Sequence, residues 1–355
     1  MQPSVKNEDA RSSSPAVSVV IPCYNSAWSI ERTLKSVQSQ RFRDFEVIIV
    51  NDGSTDNVQN VIAPFLEGDR RFRVIDQTNR GLAATRNRGI AASIGALVAP
   101  IDADDLWHPD FLGAMVEALA DNPSAPFAYG ATFRIDEEDR LLPQPNIPKQ
   151  RHDFHGLISF NSVGSGSAAV FRRSAVLSVG GYDETLRTRS AQGAEDWKLI
   201  LMLAAGGTPV SVDRKLVCYR RAASGISQGD PGLMMQGLWT VIEDLRAEFP
   251  DLPNRWFLDA RTTMAAIYVP RLIQHKMLVK TVLETVRAYL LNPLWFRNPA
   301  VRDVHVALLL FAFASWRVAV GPNPHLWTVE IDGEYPFAFL QGMSDSPAIT
   351  RTRRP

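Results

Sequence analysis

The feature that most narrows what this chain can fold into is the rhythm of its first hundred residues. Short apolar runs at Val17–Ile21, Phe45–Val50, Phe72–Ile75 and Ala96–Ile101 alternate with stretches of helical spacing at Ser26–Gln40, Ser54–Phe65 and Gly81–Ile94. The apolar runs read as strands covered on both faces, and the helical stretches open on polar or small residues suited to caps. A strand that returns parallel to its predecessor needs a helix-length crossover, and such crossovers are right-handed. The alternation therefore predicts an α/β fold, a mostly parallel sheet flanked by helices. Ligands of such sheets bind beyond the carboxyl ends of the strands. The segments at those ends are PCYNS (22–26), NDGSTDN (51–57), DQTNRG (76–81) and DADD (102–105), all rich in polar, small or acidic residues. The fold would gather them on one rim.

The last of these segments carries the strongest chemical signal. Asp102, Asp104 and Asp105 sit at the tip of a buried strand, where their charges repel one another. A divalent cation gives a reason for them, because hard oxygen ligands suit Mg²⁺ or Mn²⁺. The competing reading is a solvated loop whose acids cap the helix starting near Pro109.

Composition excludes some classes. The 38 basic and 38 acidic residues balance to a net charge of zero, so the chain is not expected to bind nucleic acid through broad electrostatic attraction. Cys23 and Cys218 lie in apolar surroundings and read as reduced structural thiols of a cytoplasmic protein. His152 and His155 read as a loop feature and not a metal site. Residues 1–15 lack an apolar core and are expected to form a flexible tail, not a signal peptide. The most hydrophobic stretch, Val306–Trp316, has 11 residues, short of the ~20 that a spanning helix needs. It reads as a buried helix, with an interfacial membrane helix as the alternative.

After Asp121 the alternation weakens. Phe127–Ile135, DEEDR and Leu141-Leu142 read as a hairpin, followed by a proline-rich loop at 143–148. Ser165–Arg172, Pro209–Val212 and Leu216–Tyr219 read as strands, and Ser174–Val179 and Glu195–Ala205 as helices. From about Gly229 the pattern is mostly helical, over Leu233–Phe249, Arg255–Glu284 and Asp303–Val320. The expected organisation is a tail (1–15), a catalytic α/β domain (16–228) and a C-terminal helical region (229–355), with the boundary near Ser227–Pro231.

Taken in order, the motifs resemble the inverting GT-A glycosyltransferases of family 2, which use nucleotide-diphosphate sugars. The resemblance runs over about residues 17–227. VSVVIPCYNSAWSIERTLKSVQSQ (17–40) is similar to the family's first strand, nucleotide loop and helix, and FEVIIVNDGSTDN (45–57) to its second strand and following aspartate. NRGLAATRNRGI (79–90), IDADDLWHPDFL (101–112), GGYDETL (180–186) and AEDWKLILML (194–203) complete the set. The resemblance implies a GT-A, Rossmann-like fold and a role for each matched residue. Pro22 and Tyr24 would flank the base. Asp52 would accept hydrogen bonds from uracil N3–H or the ribose hydroxyls, a helix cap being its plainer alternative. Arg86 would contact the base or the diphosphate. Asp102 would lie near the ribose or metal, with Asp104 as direct ligand of Mn²⁺ or Mg²⁺ and Asp105 orienting its neighbours or capping the next helix. Asp196 would be the general base and Glu195 its support or an acceptor contact. Read alone, the pair Glu195-Asp196 is simply a set of first-turn helix acids.

Other features stay open. Gly164-Ser165-Gly166-Ser167 either admits a sugar close to the backbone or is a flexible loop, and Trp197 either stacks on a sugar or belongs to the core. Members of the family often carry a histidine after a Tyr-Arg pair, whereas here Tyr219-Arg220-Arg221 runs into Ala222. Arg220 or Arg221 would then hold the diphosphate, and metal dependence is left in question. Processive synthases are disfavoured, because Leu252–Trp256 lacks the glutamine of their Q-x-x-R-W motif. PCYNS does not resemble the glycine-rich loop of a sugar nucleotidyltransferase. The expected partners are a nucleotide-sugar donor, a UDP-sugar, and a saccharide or lipid-linked acceptor. The alternative function is a non-catalytic nucleotide-binding or scaffold protein on a degenerate GT-A fold. Residues 229–355 leave three uses open: completing the acceptor site, forming a homo-oligomer, or touching the inner face of a membrane. Surface-polysaccharide assembly in bacteria follows from the resemblance alone.

Overall fold

Strand β1 (Val17–Cys23) is buried along its whole length, which accounts for the near absence of polarity in VSVVIPC. It lies parallel to β2 (Phe45–Asp52) on one side and to β4 (Leu97–Pro100) on the other, with β3 (Phe72–Gln77) parallel beyond β2. The crossovers are α1 (Ile30–Gln38), α2 (Val58–Gly68) and α3 (Leu82–Ala92). The chain winds outward from β1 to β3 and then returns to the far side of β1, so β1 and β4 flank a topological switch point. The α3 helix approaches β1 closely: a Cβ on Gly89 would lie 2.3 Å from Val20 Cγ1.

The structure, a computed structural model, describes residues 14–145, 152–222 and 229–275, together with 277, 280, 283–284, 286–287 and 328–329. Val306–Trp316, Asp303–Val320 and most of the N-terminal tail lie outside the described residues. Beyond β4 come β5 (Leu106–Trp107), α4 (Phe111–Asp121), β6 (Phe127–Ile135), β7 (Gln144–Pro145), α5 (Phe154–Ser159), β8 (Ala169–Arg172) and α6 (Arg173–Ser178). They are followed by α7 (Glu195–Gly206), β9 (Val210–Arg220), α8 (Pro231–Glu248), α9 (Asn254–Gln274) and β10 (Thr328–Val329), the last paired with β7. Eight strands form one sheet in the order β3-β2-β1-β4-β8-β6-β9-β5. Its β1–β4 portion is parallel, while β8 runs antiparallel to both β4 and β6.

Three differences from the periodicity have physical causes. Helices α1 and α2 start later than their polar lead-ins, because those residues bind each other. Asn25 N donates to Ser54 Oγ (3.0 Å), Thr55 N to Asn25 Oδ1 (2.8 Å) and Ala27 N to Asp56 Oδ2 (2.8 Å), bonds that compete with helix formation. The two strands expected at 209–219 are one, β9, which stays extended through the exposed Asp213–Lys215 and pairs with β6 across register shifts. The expected hairpin reduces to a single bridge between Ile135 and Leu141.

Residues 223–228, beside the expected boundary, lie outside the description. Just past them Asp230 caps α8, its side chain accepting from Gly232 N (2.6 Å) and Leu233 N (3.3 Å), with Pro231 at the first helical position. Leu238, Val241 and Ile242 of α8 and Phe257 and Ala260 of α9 join the same hydrophobic core as the sheet. No helix among the described residues is long and apolar enough to cross a membrane.

Candidate active site

Because β1, β2 and β4 end side by side, the loops that follow them enclose a cleft of 1520 Å³. Pro22, Tyr24 and Asp52 line it, as do Arg86, Asp102 and Asp104. Glu195 and Asp196, at the start of α7, line it too. Tyr24 is about half exposed and so is Trp28, a second aromatic on the same cleft that the sequence did not single out.

Asp52 is buried and accepts hydrogen bonds from Gln77 Nε2 (2.7 Å), Arg80 N (2.8 Å) and Gly81 N (2.9 Å). Its carboxylate thus ties the end of β2 to the loop that leads into α3. The helix it serves is α3 and not the α2 that follows it in sequence.

Arg86 is the centre of the site's electrostatics. Its side chain is 0% exposed, with Nη2 2.5 Å from Asp102 Oδ1 and Nη1 2.5 Å from Asp196 Oδ1. The Tyr182 ring covers the guanidinium at 5.2 Å. Burial opposes the charge on Arg86, yet Asp102 and Asp196 outweigh it and hold the group firmly protonated. One arginine thereby bridges the D-x-D segment and the acid at the start of α7, which lie 16 and 110 residues from it in sequence. Both terminal nitrogens go to carboxylates in this arrangement, a use that the motif position alone did not foretell.

Burial pushes the Asp196 carboxyl up to about 7, against the lowering by Arg86, with Asp102 and Glu195 adding repulsion. Backbone comes unusually close to it: a Cβ on Gly166 would lie 2.6 Å from Asp196 Oδ2. Position 166 in the Gly164–Ser167 stretch therefore requires a small residue. Glu195 turns the other way and accepts from Gly193 N (2.6 Å).

The D-x-D segment is held by residues that carried no sequence signal for this duty. Asp102 N donates to Ser167 Oγ (3.0 Å), and Trp107 Nε1 donates to Ser167 O (2.7 Å). Asp105 is fully buried, accepting from Arg220 N (2.8 Å) and Ser165 Oγ (3.1 Å). Burial, then the charges of Asp104 and Asp102, lift its carboxyl well above the usual range. It orients the loop and does not cap α4, whose N-cap is Asp110. The Arg220 guanidinium donates to Asp104 O (2.7 Å) and Asp136 O (2.6 Å) and pairs with Asp139. The expectation that Arg220 holds a diphosphate is corrected accordingly: its donors face backbone carbonyls and a buried acid.

Whether these residues suit a divalent metal is a question of donor chemistry. Asp104 is pushed up to about 6 by burial and by the neighbouring Asp102 charge. Two hard carboxylates side by side, with Asp102 raising the cost of ionising Asp104, form a donor set that a cation would relieve. Among the described residues no group of three His, Cys, Asp or Glu side chains converges on one point, and Ala222, after the Tyr219-Arg220-Arg221 run, is buried on the cleft. The pair fits a metal completed by oxygens from elsewhere.

Other expectations resolve simply. Trp197 is buried and donates to Leu157 O (3.0 Å), a core tryptophan. His152 Nδ1 lies 2.5 Å from Tyr129 Oη, while the His155 ring stacks on Trp256 at 4.8 Å, so the two histidines serve separate partners. Cys23 and Cys218 are buried free thiols.

The description "Glycosyl transferase family 2" matches residues 18–180. EpsH of Bacillus subtilis is 41% identical over 120 residues, covering 34% of this chain and 35% of that protein. The chain spans between 19% and 36% of the length of the first curated relatives it matches. Among solved structures, S. aureus TarS 1-349 in complex with UDP-GlcNAc has a TM-score of 0.53 at 16% identity, covering 79% of this chain and 91% of that one. Mannosyltransferase PcManGT from Pyrobaculum calidifontis, in complex with GDP-Man and Mn²⁺, has a TM-score of 0.51 at 20% identity, covering 86% and 89%. These structural likenesses show the fold. Residues 18–180 thus match glycosyl transferase family 2, and the fold is similar to that of TarS 1-349 and PcManGT.

Proposed function

We propose that the cleft binds a nucleotide-diphosphate sugar, a UDP-sugar, and transfers its sugar with inversion to a hydroxyl of a saccharide or lipid-linked acceptor. The observation that carries this reading is the Asp102–Arg86–Asp196 bridge inside the cleft. It links the segment suited to the diphosphate with a carboxylate suited to the acceptor. Pro22 and Tyr24 flank the base, and Asp52, at the end of β2, faces the base or ribose. A divalent cation, Mn²⁺ or Mg²⁺, on Asp102 and Asp104 would neutralise the charge that builds on the departing diphosphate.

Asp196 serves as general base. A carboxylate lifted to about 7 is matched to proton transfer near neutral pH. The acceptor oxygen forms its bond to the anomeric carbon as the bond to the β-phosphate oxygen breaks, and the hydroxyl proton passes to Asp196. Arg86 keeps that carboxylate aimed while Gly166 leaves room for it. Glu195 supports the base by holding the Gly193 backbone beside it. TarS, solved with UDP-GlcNAc, and PcManGT, solved with GDP-Man and Mn²⁺, support a nucleotide-sugar donor and a metal. The same reading places the protein in the cytoplasm, with peripheral contact at the inner membrane face where a lipid-linked acceptor would reside.

Calorimetric titration with UDP, with GDP as control, in Mn²⁺ and then in EDTA tests the donor half. The expected result is UDP binding that needs the metal and disappears in Asp104→Ala. Asp196→Asn should keep UDP binding and lose transfer. Absence of any nucleotide binding would overturn the reading in favour of a scaffold protein.

A further inference from the structure

Beside the reacting centre the cleft has a wall of neutral polar groups that neither the donor nor the transfer step uses. It is founded on the pairing of β6 with β9, where Tyr129 and Ser211 are register partners and so leave the sheet on the same face. His152 joins them from just before α5, whose N-cap Asp153 accepts from Gly156 N (3.0 Å). Tyr129 Oη lies 2.5 Å from His152 Nδ1 and 3.3 Å from Ser162 Oγ, and His152 Nε2 lies 3.4 Å from Ser211 Oγ. Four segments of the chain thus supply one polar series, Ser162–Tyr129–His152–Ser211, and all four residues line the cleft.

Tyr129 is buried, the two serines are half-buried and His152 is exposed, so the series runs from the core to the cleft surface. His108 and His155 each have a carboxylate within 4.0 Å, whereas the hydrogen-bonding neighbours of His152 are hydroxyls. A serine hydroxyl has one donor and two acceptor sites, of which this series occupies one at each end, so both serines keep capacity for a ligand. Asn161, next to Ser162, lines the cleft as well, its Oδ1 accepting from Gly164 N (3.4 Å). Interleaved donors and acceptors without charge match the hydroxyls of a sugar, and Phe160 on the same loop offers a flat apolar face for its C–H groups. Farther along β9 the exposed Asp213 and Lys215 bring one charge of each sign to the cleft. The loop that supplies Ser162 reaches the Asp196 carboxylate at Gly166, four residues on, a Cα separation of at most about 14 Å. The wall therefore adjoins the reacting centre without bonding to Asp196, whose ion partner is Arg86.

We propose that His152, Ser162 and Ser211, held in place by Tyr129 and flanked by Phe160 and Asn161, bind an uncharged sugar ring of the acceptor, next to the ring whose hydroxyl attacks. The inference rests on reading the cleft as a glycosyl-transfer site, and it adds the chemical class of acceptor: a saccharide of at least two sugars, neutral where it meets this wall. The acidic centre around Asp102, Asp104 and Asp196 handles the donor and the proton. The hydroxyl wall holds the acceptor in register with them.

The test is saturation-transfer NMR, with UDP and Mn²⁺ present, on the uncharged disaccharides maltose, cellobiose, lactose and diacetylchitobiose. At least one should bind the wild-type chain. Ser211→Ala and His152→Ala should each weaken that binding about fivefold or more, as expected for loss of a hydrogen bond to the ligand. Ser211→Thr keeps the hydroxyl and suits a strand, so it should retain binding. UDP titration and thermal melting on the same variants should match the wild type, which shows that each is folded with its donor end intact. A wild type that binds UDP and none of the disaccharides overturns the proposal, and so does binding that both folded alanine variants leave unchanged. A uronate-containing disaccharide that binds more tightly than every neutral one overturns the uncharged class. Failure of the wild type to bind UDP, with Ser211-dependent disaccharide binding retained, would sink the glycosyl-transfer reading and leave the sugar-binding wall standing.

Discussion

Replacing Arg86 by methionine isolates the electrostatic role of the bridge, because methionine fills much of the arginine's apolar stem and removes only the charged fork. The guanidinium is 0% exposed, and its two partners keep only about a quarter of their side chains in water, 27% for Asp102 and 25% for Asp196. At a charge separation of ~4 Å and an effective dielectric of ~20, each pair is worth about 4 kcal/mol of attraction, most of it offset by desolvation. Breaking a buried pair from one side costs about 3–5 kcal/mol, and the residual exposure of the carboxylates argues for about 3 kcal/mol here. The cost depends on pH. Without Arg86 the native carboxyl of Asp196, already at about 7, rises further above its unfolded value near 4. A carboxyl raised in this way stabilises the fold while protonated, and that contribution is lost as pH rises through the native value. Urea unfolding should therefore show a loss of about 3 kcal/mol at pH 8 and less than about half of that at pH 5. Adding Asp196→Asn to the variant should recover stability at pH 8, since it removes the stranded charge. An equal loss at both pH values, or no recovery in the double variant, would show that Arg86 acts through packing and that the bridge reasoning is wrong.

Gly166→Ala would put a Cβ 2.6 Å from Asp196 Oδ2, where ordinary contact begins at 3.4 Å, so the carboxylate must give way by about 0.8 Å. Turnover should fall ~10–100-fold with the donor KM little changed, as a misplacement of that size costs; normal turnover would remove Asp196 from the chemistry. In the wild type, kcat/KM should rise with pH through about 7 as Asp196 ionises, seen in a pH–rate profile. A flat profile from pH 5 to 8 would contradict that assignment. Arg220→Met should remove the donor that the Asp104 and Asp136 carbonyls take from Arg220 and leave the Asp139 carboxylate without its Arg220 partner, with Arg32 still paired to it. The expected cost is about 3 kcal/mol in denaturant unfolding, with weaker metal-dependent UDP binding because the D-x-D loop loosens. Unchanged affinity and stability would mean the loop is held by other bonds.

Much of the architecture was legible because it is written in local pattern. The alternation from Val17 to Ile101 encodes element type through side-chain period, and short crossovers leave the β1–β4 portion few topologies to choose from. The rim followed from that topology, so the cleft could be located before any contact was known. Where local pattern failed, polar side chains had intervened. Asn25 and Asp56 took the backbone donors that would have begun α1 and α2 earlier, and exposed Asp213–Lys215 hid the continuity of β9.

The sequence by itself determined which residue types are available at the rim: the D-x-D acids and Asp52 at strand ends, Arg86 in α3 and the Glu195-Asp196 pair opening α7. Tertiary structure alone decided what each of them touches. Arg86 meets acids 16 and 110 positions away, Arg220 turns to carbonyls 84 and 116 away, and Ser167 rather than any neighbour in sequence holds Asp102. Periodicity records whether a side chain faces inward, because that depends on the residue's own element. A buried charge must find its partner on some other element, and only the folded chain brings that element within reach.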